Sequence, residues 1–148
     1  SWLSIYGGKV QEGLARYAAW LAKDTNLARG NTDYALLLIQ AGRYEEAASC
    51  LGKALQYLDT EGHGSLQQAF RSQLYAQKAW CEWKSHKNRT ALADITKALE
   101  GEKRQYWANW NDLRDQIRQE LGMKIEKRNG RGMNEPISLP TLSEDWKD

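Results

Sequence analysis

The chain has 148 residues, of which 41% are hydrophobic and 27% are charged, and its formal net charge is +2. This composition is typical of one ordinary folded domain and excludes a chain that is disordered throughout, because there is enough apolar surface for a core. The net charge is too small to indicate nucleic-acid binding by itself, and the absence of an apolar run of about 20 residues argues against a membrane-spanning helix.

The residues that carry chemistry are few and scattered. Cys50 and Cys81 lie in predicted helices outside any CxxC or Cys/His cluster, so we expect buried, reduced thiols and a reducing, cytoplasmic compartment. His63 and His86 lie in polar loops, where we expect surface histidines. No nucleophile with its base, phosphate-binding glycine loop or metal-ligand spacing is recognisable. The sequence therefore predicts a protein that is not an enzyme and has neither cofactor nor metal.

The first clear pattern along the chain is a pair of amphipathic helices on either side of Gly42. Apolar residues recur at steps of three and four from Tyr34 to Ala41 and again from Tyr44 to Leu55, and glycine is the residue that commonly ends a helix and allows a turn. Small Ala35, Ala47 and Ala54 would permit close approach of the two helices, while bulky side chains fill the space between them. The segment 28–61 is therefore predicted to be one helix–turn–helix unit.

This unit resembles the tetratricopeptide repeat (TPR), with AGRYEEA at residues 41–47 the closest match. The family repeats every 34 residues, and its helix pairs stack into a solenoid. Moving back 34 residues from Ala54 reaches Trp20, so residues 1–27 are expected to be a partial repeat, with its second helix over residues 10–23. Such a start inside a repeat suggests that the chain is part of a larger protein with further repeats upstream.

A divergent second copy follows over residues 66–101. Ala98 and Leu99 correspond to Ala54 and Leu55, which gives a spacing of 44 residues instead of 34, and the turn at residues 85–88 contains neither glycine nor an aromatic residue. A last amphipathic helix over 103–122, ended by Gly122, is expected to cap the array. The predicted fold class is all-α, a right-handed alpha-alpha superhelix of antiparallel helix pairs.

Residues 123–148 are predicted to be an extended or disordered tail. Six cations against two anions over residues 71–97 give that stretch a charge of +4, whereas residues 133–148 sum to −3, so the tail could fold back on the repeats. We favour a solvated helix face and a disordered tail. The apolar–acidic stretch at 137–146 is also of the sort that docks into a groove, as a ligand for a partner or for a neighbouring copy.

What the resemblance implies about function is a protein–protein interaction module with a scaffold or adaptor role. In TPR arrays the first helix of each repeat lines a concave groove that receives a peptide or helix. The corresponding groove residues here, extended onto the last helix, are Asp33, Leu36, Gln77, Trp80, Trp83, Lys84, Trp107, Trp110 and Arg114. Trp80 is the expected exposed apolar anchor, with Lys84 and Arg114 reading acidic side chains; Trp83, Trp107 and Trp110 could instead fill the core.

One well-known ligand of the family is not expected. The branch that clamps the carboxylate terminus of heat-shock chaperones uses Lys and Asn, but the matching positions here hold Thr32, Leu36, Gln73 and Gln77. The partner's identity therefore stays open. Two alternative functions also stay open: binding of single-stranded RNA by the tryptophans and their neighbouring cations, and a regulatory helical domain of a larger enzyme.

Overall fold

The computed structural model describes residues 12–16, 27–59, 65–101, 108–123 and 137–140. Five helices lie in these ranges: α1 (Leu27–Gln40), α2 (Tyr44–Asp59), α3 (Ser65–Lys84), α4 (Asn88–Gly101) and α5 (Ala108–Glu120). Residues 12–16 are helical as well, and the described residues include no strand. The predicted all-α class is confirmed. None of the helices within these ranges has the length and apolarity needed to cross a membrane.

The helices form two pairs followed by a single helix. Short turns at residues 41–43 and 85–87 connect α1 to α2 and α3 to α4, so the two members of each pair run side by side in opposite directions. Each helix packs mainly against its neighbour in the chain, including α2 against α3 and α4 against α5. The serial packing brings all five helices onto one continuous hydrophobic core.

Small residues lie where the helices approach most closely. Ala35, Ala47 and Ala54 are fully buried in the first pair, and Ala91 and Ala98 are fully buried in α4. Large side chains such as Leu38, Leu51, Leu74 and Ile95 fill the spaces between the helices. The alternation of small and large residues read from the sequence therefore does form the interhelical packing.

Three helices end in the same backbone motif. Gly42 and Gly122 have φ angles of 77° and 78°, and His86 occupies the corresponding position after α3 with a φ of 63°. In each case the N–H of the next residue donates to a carbonyl five residues back, as in Lys87 to Glu82 at 2.8 Å. This is the hydrogen bond of a Schellman motif, which pairs helix carbonyls that would otherwise lack partners. The turn without glycine thus has the same geometry as the turns with it.

Two further expectations can be compared with the described residues. Cys50 and Cys81 are free and buried, as predicted, and burial raises the pKa of the Cys81 thiol to about 12. Of the partial repeat predicted over residues 1–27, the described part is the helical stretch 12–16, where Leu14 joins the core, together with Leu27. The remainder of that prediction, and His63, lie outside the described residues.

Candidate functional site

A polar and aromatic stripe follows one side of α3. Gln77, Trp80 and Lys84 are separated by three and four residues, so their side chains emerge on the same side of the helix. Residues 137–140 from the C-terminal part of the chain lie against this stripe. We call Gln77 and Trp80, together with Tyr44 of α2, the docking face, and residues 137–140 the docked segment.

Two side-chain donors of the docking face hold the main chain of the docked segment. Trp80 Nε1–H donates to the carbonyl oxygen of Ile137 at 2.8 Å, and Gln77 Nε2–H donates to the carbonyl oxygen of Pro140 at 3.1 Å. The donors are three residues apart on the helix and their acceptors three residues apart on the segment, in opposite order. The docked segment therefore runs antiparallel to α3.

The side chains of the docked segment divide between the protein and solvent. Pro140 is buried, Ile137 and Leu139 are half-buried against the hydrophobic core, and Ser138 is exposed. Apolar contact thus supplements the two hydrogen bonds, which contribute about 1 kcal/mol each in net terms. The docking face recognises main-chain carbonyls and apolar side chains, with no charge on the docked segment itself.

The expectation that Trp80 is exposed is wrong. Its residue exposure is 8%, because the edge of Tyr44 packs against its ring at 5.7 Å and its indole N–H is used by Ile137. Lys84 Nζ lies 5.3 Å from the ring centroid, within range of a cation–π interaction. Trp80 thus contacts a segment of its own chain, and its role as an anchor for a partner stays a prediction.

Residues 137–140 of the tail predicted to be extended or disordered pack on α3 without forming helix or strand. Burial of Pro140 and two hydrogen bonds offset part of the entropy lost on ordering the segment. The contacts match the alternative in which the tail folds back on its own chain, and docking of the stretch on a partner or a neighbouring copy stays a prediction. Residues 124–136 and 141–148 of the predicted tail lie outside the described residues.

Trp83 and Lys84 continue the same region of α3 toward its C-terminal end. Trp83 is half-buried, and its indole N–H donates to Glu120 of α5 at 2.8 Å, while Lys84 is exposed with its ammonium 5.4 Å from the Trp83 ring. Burial alone would raise the pKa of Glu120, but hydrogen bonds from Trp83, Gln116 and Asn88 outweigh it and lower that pKa. Trp83 therefore links α3 to α5 and does not contact the docked segment through its N–H.

The other predicted groove residues within the described ranges have different surroundings. Trp110 is fully buried in the core, because the face of α5 that packs inward carries it together with Leu113 and Ile117. Arg114, half-buried on α5, contacts Asp115 at 3.4 Å instead. Asp33 and Leu36 are half-buried on α1, and Trp107 lies outside the described residues. The predicted set thus contributes Gln77, Trp80 and Lys84 to this site, with Trp83 beside them.

A buried ionic cluster that sequence reasoning missed lies between α3 and α4. Lys78 Nζ is 2.9 Å from Glu82 and 2.7 Å from Asp94, and the side chains of the two acids are 7% and 9% exposed. Burial and then a hydrogen bond with Asp94 raise the pKa of Glu82 to about 8. Burial of the Glu82 carboxyl thus favours its protonated form at neutral pH. The available signal was a Lys/Glu pair at i, i+4 facing an Asp among the buried positions of α4.

The chain was compared with models of known protein families, with curated proteins and with solved structures, and none of the three comparisons found a match. The resemblance to TPR proteins thus stays a prediction from the residues quoted above.

Proposed function

We propose that this chain is a TPR-like interaction module whose docking face binds an extended segment of a partner protein. The observation that carries the proposal is the docked segment, which occupies the face through two main-chain hydrogen bonds and apolar contact. Stacking of the two helix pairs and α5 as a right-handed superhelix is part of the same proposal, supported by the serial packing of the helices. No chemistry is performed on the bound segment.

The docked segment indicates the chemistry of the partner. Donors from Gln77 and Trp80 can pair with the main chain of any residue, so selectivity arises from the apolar side chains at the positions of Ile137 and Leu139. A segment with apolar residues two positions apart and an exposed residue between them fits the face. This mode combines main-chain recognition with alternate side-chain contacts, as other extended-peptide binders do.

Lys84 supplies an electrostatic preference at one end. The docked segment runs antiparallel to α3. In a partner segment bound in the same direction, the residues before the position of Ile137 lie on the side of Lys84. The Lys84 ammonium is exposed and lies over two indole rings, which leaves it able to pair with an anion. We therefore expect an acidic residue shortly before the first apolar position of the partner segment. Reading of a second acidic side chain by Arg114 remains a prediction from the sequence.

Binding of a partner competes with the docked segment. A site that is occupied within its own chain has a lower apparent affinity for a ligand, in proportion to the fraction of molecules in which the site is open. The test therefore uses the full chain with Ile137→Ser and Leu139→Ser together, which removes the apolar contacts of the two half-buried side chains of the docked segment. We call this the release variant.

The first measurement is fluorescence anisotropy of a labelled peptide with the sequence of residues 134–142, titrated with the wild-type chain and with the release variant. We expect the release variant to bind the peptide at least tenfold more tightly than the wild type, because its face is open. Absence of binding to the release variant, with its helicity and melting temperature close to those of the wild type, would contradict the proposal.

A matched pair of tryptophans then locates the binding site. In the release variant, Trp80→Phe keeps an aromatic ring but removes the donor to the peptide, and we expect about a fivefold loss of affinity from one net hydrogen bond. Trp83→Phe removes an indole donor that pairs with Glu120, so the affinity should not change. Equal losses in both variants would show that the peptide is not held at Trp80.

A further inference from the structure

The Gln77 side chain has one polar atom that the docked segment leaves unpaired. Gln77 is 4% exposed, and its Nε2–H donates to the carbonyl of Pro140 at 3.1 Å. Its Oε1 is buried, and no donor among the described residues lies within hydrogen-bonding distance of it. A buried acceptor without a donor is costly, because it has lost its water without regaining a hydrogen bond.

Residue 140 does not supply the missing donor. A side-chain amide presents a donor and an acceptor side by side, and a residue in an extended strand presents its own N–H and C=O on the same side of the chain. The two can therefore pair through two hydrogen bonds. Pro140 supplies the carbonyl but has no N–H, so half of this pairing is missing.

We propose that the Gln77 amide is a subsite for both main-chain groups of one extended residue, and that Pro140 keeps the docked segment a weak, exchangeable occupant. The partner's segment then carries a residue other than proline at this position and pairs with both Gln77 Nε2 and Oε1. The statement about the partner rests on the proposed function. The statement about Pro140 and Gln77 concerns this chain alone and can be tested without a partner.

The test within the chain is hydrogen–deuterium exchange of the Trp80 indole N–H, followed by NMR in the full-length protein. This proton is protected by Ile137 only while the segment is docked. Pro140→Ala restores an N–H, and we expect exchange about tenfold slower than in the wild type. Backbone amides in the core of α3 should exchange unchanged, which separates opening of the segment from unfolding.

The Gln77→Met background provides the control, because methionine has a similar shape without either the oxygen or the N–H donor of the amide. Proline also restricts the free segment, so Pro140→Ala without the new hydrogen bond should make exchange a few-fold faster. Pro140→Ala is therefore expected to slow exchange of the Trp80 indole N–H in the wild-type background and to speed it in the Gln77→Met background. Exchange that is unchanged or faster in Pro140→Ala alone, or that slows equally in the Gln77→Met background, would overturn the proposal.

A second arm uses the release variant and two peptides of residues 134–142, one with alanine and one with N-methylalanine in place of Pro140. These peptides differ only by the N–H at one residue and its methyl replacement, and we expect the alanine peptide to bind about tenfold more tightly. Equal affinities would overturn the Gln77 subsite while leaving the proposed function intact. If neither peptide binds, the proposed function fails, and the exchange experiment decides the pairing of Gln77 with residue 140.

Discussion

The two helix pairs share a turn geometry but make it from different residues. In the first pair Gly42 takes the left-handed conformation after α1, and Arg43 N–H donates to Leu38 O at 2.8 Å. In the second pair His86 takes that conformation after α3, with the equivalent bond from Lys87 to Glu82 also at 2.8 Å. Packing of α3 against α4 therefore imposes a turn that its own residues do not favour.

The ion pairs of the two units differ in burial. Arg43 and Glu46 of the first pair form a bidentate bridge on the surface, with side chains 40% and 54% exposed. Lys78, Glu82 and Asp94 of the second pair lie inside the helix packing. The second pair thus combines a buried ionic cluster at Lys78 with the docking-face residues Gln77 and Trp80 on the same helix.

The largest expected difference between the pairs concerns these ion pairs. Lys78→Met leaves the Glu82 and Asp94 carboxyls buried without their cation, so we expect the free energy of unfolding to fall by about 3 kcal/mol. Arg43→Met removes an exposed partner and should leave stability within measurement error. Urea unfolding followed by circular dichroism measures both. Equal effects of the two substitutions would show that the cluster is not buried as described.

The pH dependence of stability is also expected to differ between the buried cluster and the exposed ion pair. The pKa of Glu82 is about 8 in the fold, against 4.5 for the free group, so between these values the folded chain retains a proton that the unfolded chain has lost. The contribution of this proton to the free energy of unfolding is complete below pH 4.5 and disappears as the pH rises to about 8. Lys78 stays charged, since its hydrogen bonds outweigh burial and raise its pKa.

Glu82→Gln keeps the shape and the donor to Asp94 without titrating. We therefore expect its unfolding free energy to decline less than that of the wild type between pH 5 and pH 8, in parallel urea titrations. Glu46→Gln in the exposed pair serves as the control and should follow the wild type. A variant whose pH profile is as steep as that of the wild type would contradict the raised pKa of Glu82.

The smallest expected effect lies in the turns. His86→Gly removes the strain of a positive φ, and we expect a gain of about 1 kcal/mol, or a rise of a few degrees in the melting temperature. Gly42→Ala imposes the same strain on the first pair and should cost a similar amount. Calorimetry measures the melting temperatures of both variants. A loss of stability in His86→Gly would mean that the His86 imidazole itself stabilises the turn.

Helices, their turns and most of the core were accessible from the sequence because they depend on local spacing. Ala35, Ala47 and Ala54 were predicted at close helix approaches, and all are fully buried. Trp110 was predicted to be a groove residue, although its spacing places it on the same side of the helix as the apolar residues Leu113 and Ile117. That spacing was the signal that it belongs to the core.

The candidate site was only partly accessible. Spacing placed Gln77, Trp80 and Lys84 on one face, and composition marked 137–142 as a segment able to dock. Neither observation predicts that this face and this segment contact each other, because the hydrogen bonds of Gln77 and Trp80 link residues 63 and 57 positions apart in the chain. The Lys78 cluster was missed for a related reason, since its third member comes from another helix.

The amino-acid sequence by itself determined the all-α class, the paired helices and the face on which Gln77 and Trp80 lie, since helical periodicity and turn chemistry act over a few residues. Only the tertiary structure decided what covers that face. Burial of Trp80, the unpaired oxygen of Gln77 and the raised pKa of Glu82 all arise where distant segments exclude water together. That exclusion depends on packing in three dimensions, which local periodicity does not encode.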